Sequence, residues 1–212
     1  MTRLLRDLER HLLRETGSRL TRLGFASRPR DQTFLRPTDG GTLAVHLSFI
    51  THARSFDVTV DVAVRFDAVE ELVHRSNRLL TKRDMAATFT LGVELGNLER
   101  GEPHRYTVAD SSDVERVSAQ LVEKIETVGM PYLENYSRPE AAFALLARDD
   151  RDARLHCPIH AERAKRACAL LVVMSRHSEV EALGRQKLSF LESVRDPGAT
   201  MFSRFLVELQ SK

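Results

Sequence analysis

Cysteine is scarce in this chain. Only Cys157 and Cys168 occur in 212 residues, which excludes a framework of several disulfides. Long apolar runs are missing too: the longest, Ala167 to Met174, has eight residues, against the roughly 18 that a membrane-crossing helix requires. No membrane association is expected. There is no G-x-G-x-x-G, no G-x-x-x-x-G-K-[ST], no G-x-S-x-G and no H-E-x-x-H, so the common signatures of nucleotide binding, serine hydrolysis and zinc proteolysis are absent. No cofactor is expected. Lysine is rare, with 5 Lys beside 27 Arg, and 30 acidic residues bring the formal net charge to +2. That balance does not mark a nucleic-acid binder by charge alone.

What remains is ordinary globular material, 42% hydrophobic and 29% charged, which fits a folded domain rather than a disordered or fibrous chain. The opening "TRLLRDLERHLLRETG" is too charged for a signal peptide, and a cytoplasmic protein is expected. At 100° per residue, Leu4, Leu5, Leu8, Leu12 and Leu23 share one side of a first helix and Arg3, Arg6, Arg10 and Arg14 the other. Gly17-Ser18 is a candidate kink, and Gly24 suits the stop.

Strand signals follow. "QTFLR" (residues 32–36) precedes an Asp39-Gly40-Gly41 turn. Next come two alternating runs, with Leu43, Val45, Leu47 and Phe49 apolar in the first and Phe56, Val58, Val60, Val62, Val64 and Phe66 in the second. A four-residue loop, 51–54, would set Phe49 against Phe56, Leu47 against Val58 and Val45 against Val60, an apolar match at every pair. Asp67 with Glu70 reads as a cap opening a helix through Leu80 that buries Val69, Leu72, Val73, Leu79 and Leu80. "FTLGVEL" (89–95) returns to strand alternation, with "HRYTV" (104–108) as its partner across a turn. Ser112 with Glu115, Ser137 with Glu140 and Ser178 with Glu181 read as capping boxes of later helices, the first of them stopped near Gly129 and Pro131. "RDDRDAR" reads as a charged linker. Further helices start at about Pro158 and Glu179, and one follows Asp196-Pro197-Gly198, with Phe202, Phe205, Leu206 and Leu209 as its apolar residues. The order predicts an α+β fold: a largely antiparallel sheet packed with helices over residues 1–136, then a helical C-terminal subregion over 137–212 packed on it.

"RLHCPIHAERAKRAC" (154–168) gathers two histidines and both cysteines and raises the question of a metal. Proline suits the first turn of a helix and not its interior, so Pro158 places His156 before the helix and His160 within it. They are not i, i+4 neighbours on one face. Cys168 lies eight residues beyond His160, about 12 Å along a helix axis. That is too far for a shared zinc at about 2.0–2.3 Å from each ligand. The same rise separates Cys157 from Cys168 too widely for a disulfide. No metal site is expected, and the cysteines read as core residues.

Two surfaces are the candidate sites. On the polar face of the hairpin, the register above puts His46 opposite Thr59 and diagonal to Asp57 and Asp61, a grouping suited to acid/base chemistry or to a polar binding face. The second surface is the arginine stripe Arg3, Arg6, Arg10 and Arg14. Residues 1–36 hold nine Arg against four acids, a net of +5, leaving −3 for the remainder. Phosphate contact is the functional reading of that stripe, although Asp7 and Glu9 interrupt it and no aromatic residue stands beside it.

Leu23-Gly24-Phe25 at the end of the first helix, Phe34 and Arg36 in the first strand, and Gly129-Met130-Pro131-Tyr132-Leu133 together resemble a bacterial family known only as domain of unknown function 4304. The likeness spans about the first two-thirds of the chain, which departs from the family in having no tryptophan. It implies an α+β domain without assigned activity and transfers no functional residue. Small bacterial domains of this kind include toxin-neutralising immunity proteins, an analogy of family only. The expected function is a non-catalytic binding protein with a protein partner, an immunity type among the possibilities. The alternatives are a nucleic-acid-associated protein using the arginine stripe and an enzyme whose site is the polar sheet face.

Overall fold

The computed structural model describes residues 3–75 and 80–210. The fold is α+β, with a six-stranded antiparallel sheet and a helical C-terminal half. Helix α1 (Arg3–Leu20) runs unbroken through Gly17-Ser18 and ends in a short turn whose last residue, Gly24, takes φ +80°. Its buried stripe is Leu5, Leu8, Leu12, Leu13 and Leu20, while Leu4, expected on that stripe, is exposed. The shift is geometric, since Leu4 lies about 100° from Leu5 around the helix.

Strands β1 (Ala26–Arg28), β2 (Thr33–Thr38), β3 (Gly41–Thr51) and β4 (Phe56–Phe66) follow in spatial order. β2 and β3 form a tight hairpin in which Phe34 pairs with Val45 and Thr33 with His46. Every even position of β4 from Phe56 to Phe66 is buried, as are Leu43, Val45 and Leu47 of β3. The Phe49 and Phe56 rings meet edge to face at 5.3 Å. The β3–β4 reversal is tighter than a four-residue loop, because the His52 N–H donates to the Ser55 carbonyl at 2.9 Å and encloses only Ala53 and Arg54.

After β4 come α2 (Asp67–His74), α3 (Lys82–Ala86), β5 (Leu91–Glu94), α4 (Leu95–Arg100) and β6 (Tyr106–Val108). Leu79, expected in the core of a longer α2, lies outside the described residues. Asp67 does not cap α2. The helix starts at Asp67 itself, whose carboxylate accepts from Arg65, and Glu70 turns inward. β6 pairs with β4 (Phe56 with Val108) and not with β5. The cause is α4, whose first turn is capped by the Glu94 carboxylate on the Asn97 N–H and whose end at Gly101 is left-handed. The helix occupies the stretch that a hairpin between β5 and β6 would need.

The remaining helices are α5 (Ser111–Lys124), α6 (Met130–Tyr136), α7 (Pro139–Leu146), α8 (Arg151–His156), α9 (His160–Val173), α10 (His177–Ser193) and α11 (Ala199–Gln210). Three expected capping boxes are displaced. Asp110 caps α5, while Arg138 and Arg176 precede α7 and α10 without a side-chain cap. The supposed linker 148–154 contributes most of α8, capped by Asp150 on the Ala153 N–H. Gly129 and Pro131 do not stop the helix either. A π-helical turn at Ile125–Gly129 joins α5 to α6, and such a turn shifts the hydrogen-bond ladder, so that Pro131 is carried early in α6.

Two compact units result. One comprises Met1–Ala63 with Val93–Glu134, the other Val64–Gly92 with Asn135–Lys212, so the division falls within β4 and β5. In the first unit, α1 packs on α5 and on β1. In the second, α9 is the hub and touches α2, α7, α10 and α11. A Cβ on Gly17 would stand 2.9 Å from the Phe34 ring and 3.4 Å from the Ser27 hydroxyl. Gly17 therefore sets how closely α1 approaches the sheet. Gly17→Val should lower stability by about 1–3 kcal/mol, the usual cost of forcing extra methyls into a packed contact, read from denaturant unfolding against the parent.

Candidate functional site

The polar face of the β3–β4 hairpin is half-exposed, and its alternation follows directly from the buried face beneath it. His46 Nδ1 lies 3.8 Å from Asp61, with both side chains 41% exposed. The Ser48 hydroxyl sits between them, 3.3 Å from His46 Nδ1 and 3.5 Å from Asp61. Asp57 is not part of that group. It accepts from His52 Nε2 at 2.9 Å and from the Thr107 hydroxyl at 2.7 Å. Those hydrogen bonds, His52 first and Thr107 second, hold the Asp57 carboxyl below its ordinary range. Thr59 lies between the two groups on β4 and is half-buried.

The expected cluster is thus resolved into two pairs. The tight turn accounts for this: it sets His46 against Asp61, where a four-residue loop would set it against Thr59. A shift of two residues leaves every side chain on its original face. The face closes at one end, where Ala44 is buried. His52 and Thr107 were missed as members, because His52 falls in the stretch read as loop and β6 was assigned to β5.

Arg3, Arg6, Arg10 and Arg14 are all exposed along α1. Arg10 is ion-paired with Asp7, and Arg14 stands 3.9 Å from Glu15. The stripe is a solvated row with local partners, and its two later members face a groove beside β1.

His156 closes α8 and His160 opens α9, so each belongs to a helix of its own. Among the described residues no three His, Cys, Asp or Glu converge as metal ligands. Both thiols are free and buried, and burial pushes Cys168 up to about 12.

The most developed polar constellation is one that the sequence did not suggest. α9 is buried along almost its whole length yet carries Arg163, Lys165 and Arg166. The Glu70 carboxylate of α2 accepts from Arg166 Nε at 2.9 Å and Nη2 at 3.1 Å, from the Thr90 hydroxyl at 3.0 Å and from His74 Nε2 at 3.2 Å. Arg166 also donates to Glu162 at 3.3 Å. Burial alone would raise the Glu70 carboxyl, but the His74 hydrogen bond and the Arg166 charge outweigh it and bring it to about 2. One turn away, fully buried Arg163 donates to the Cys157 carbonyl at 2.7 Å and the Arg148 carbonyl at 3.1 Å, and lies 2.7 Å from His160 Nδ1. Lys187 of α10 reaches Asp149 at 2.7 Å. Every donor in this network has an internal acceptor, which describes a scaffold more than a site awaiting a ligand.

Compared with known proteins, the chain matches no family model, no curated protein and no solved structure.

Two measurements test the network. Arg166→Met removes one partner and strands Glu70, so it should cost about 3–5 kcal/mol in unfolding free energy at neutral pH, and a Glu70→Leu, Arg166→Met double change should recover much of that. The second measurement is acid unfolding. Glu70 is lowered from 4.5 to about 2 on folding, so its contribution is present above pH 4.5 and lost as pH falls toward 2. Those values correspond to about 3 kcal/mol. A Glu70→Gln variant should show a correspondingly flatter decline through that window.

Proposed function

We propose that this chain is a non-catalytic bacterial interaction protein, an immunity-type partner of a protein toxin acting in the cytoplasm, and that it binds its partner through the polar hairpin face. The observation that carries this reading is the pairing of His46 with Asp61 across β3 and β4, and of Asp57 of β4 with His52 of the turn and Thr107 of β6. Such side chains are held in place before any partner arrives, so little conformational entropy is lost on docking. Asp57 and Asp61 offer carboxylate acceptors, which suit arginine, lysine or amide donors on the partner. The resemblance to domain of unknown function 4304, carried by Leu23-Gly24-Phe25 and Gly129-Met130-Pro131-Tyr132-Leu133, supports membership of that family and with it the immunity analogy.

Affinity capture from the source cell tests the reading, with the parent chain and an Asp57→Ala, Asp61→Ala variant as baits. Asp61 is exposed, but Asp57 is only 15% exposed and its loss removes the His52 and Thr107 hydrogen bonds, so the variant should stay folded with a stability about 1–2 kcal/mol below the parent's. The parent should retain a stoichiometric protein that the variant loses. A protein held equally by both baits contradicts the hairpin face, and nucleic acid released by raised salt favours the arginine stripe instead.

A further inference from the structure

A groove of about 660 Å³ runs between α1 and the segment 27–30, within the size range of ligand-binding clefts. We propose that it takes an extended acidic peptide segment of a protein partner. It lies across the sheet from the hairpin platform: Gly17 of α1 abuts Phe34, Phe34 pairs with Val45, and His46 is the next residue of β3, facing the other way. The two surfaces are therefore separate.

One wall is a helical stripe that includes Arg10, Arg14, Ser18 and Thr21; the other has Ser27 and Arg30. Leu13 and Pro29 supply its apolar surface. No carboxylate is among the lining residues. Arginines present donors only, and the Ser18 and Ser27 hydroxyls can add more, while the Thr21 hydroxyl already donates to the Gly17 carbonyl at 3.0 Å, so the groove suits an anion with some apolar body. Arg30, Ser18 and Ser27 have no side-chain hydrogen bond or ion pair among the described residues, and remain available. Arg10 and Arg14 are held near Asp7 and Glu15 but keep side chains 75% and 71% exposed.

Two features select a peptide over a polynucleotide. No aromatic residue lines the groove, so bases would find no stacking platform. β1, which contributes Ser27, is the end strand of the sheet and is exposed. Its outer backbone edge offers both donors and acceptors, which an added peptide strand can use and a sugar-phosphate chain cannot. Arg10 to Thr21 spans about 16 Å of helix, the length of about five extended residues.

Fluorescence anisotropy on the full chain tests this, with a labelled alternating Glu-Leu peptide, a Lys-Leu counterpart and a single-stranded oligo-dT as probes. The Glu-Leu peptide should bind saturably and the Lys-Leu peptide should not. Ser18→Trp, which fills the groove without changing charge, and the Arg14→Glu, Arg30→Glu pair should each weaken binding at least about tenfold with melting temperatures close to the parent's. Arg3→Glu, on the same helix but outside the groove, should bind as the parent does. The proposal is overturned if the parent shows no saturable binding, if Ser18→Trp binds like the parent, if Arg3→Glu weakens binding as much as the groove pair, or if oligo-dT binds more tightly than the peptide. Because the hairpin face plays no part in these measurements, their failure leaves that reading untouched.

Discussion

The second unit is organised by one constraint: α9 is enclosed on almost all sides and yet carries guanidinium and ammonium groups that cannot be left unpaired. A buried charge without a partner costs several kcal/mol, so the segments around these groups have to supply acceptors. α2 brings Glu70 to Arg166, and the segment ahead of α8 brings Asp149 and backbone carbonyls to Arg163 and Lys187. Apolar packing would allow these helices to slide and rotate with modest loss. Bidentate contact of Arg166 with Glu70 does not, because both nitrogens must meet both oxygens. Residues 64–92 belong with the C-terminal helices in part because Glu70 is 96 positions from the arginine it serves.

This network also draws in much of the "RLHCPIHAERAKRAC" stretch. Cys157 sits 3.9 Å from Arg166, a contact that favours the thiolate, but burial is the larger influence and pushes the thiol up. His160 Nδ1 faces the Arg163 guanidinium, which donates only, so that ring nitrogen is an acceptor. Burial and the Arg163 charge both lower the His160 pKa. Of the residues that look like ligands in one dimension, His160 is taken up by Arg163 and both thiols are buried.

What was legible in the sequence was whatever repeats with a fixed period. The hairpin's alternation gave its buried and polar faces correctly even though the turn is two residues tighter than expected, because parity survives a shift of two. His46 and Asp61 were therefore placed on one face, and only their partners changed. α1 was readable for the same reason, with Leu4 displaced by a single position. Signals that depend on one or two residues fared worse. Ser112, Ser137 and Ser178 all precede a glutamate at capping-box spacing, but Asp110 outcompetes Ser112 by accepting two backbone N–H groups. Glu70 had the spacing of a capping residue and was drawn inward by a distant arginine. β6 chose β4 over the strand nearest in sequence because α4 intervenes. The Asp110 cap is a local competition between neighbouring side chains, whereas the fates of Glu70 and β6 are decided by partners far along the chain, which no local window contains.

The groove and the hairpin platform show why net charge is a poor guide to local potential. A formal charge of +2 on 212 residues suggests indifference to charged partners. Yet Asp57 and Asp61 lie on one side of the sheet, and Arg10, Arg14 and Arg30 gather beside α1 on the other. Ion pairs exposed to solvent contribute little to stability, so this segregation is not needed to hold the fold. Its physical effect is on approach. At physiological salt the screening length is about 8 Å, comparable to the thickness of a sheet with its side chains, and each face then presents its own potential rather than the average. A partner with an acidic segment is drawn to one side and a donor-rich surface to the other, which orients encounter before any contact forms.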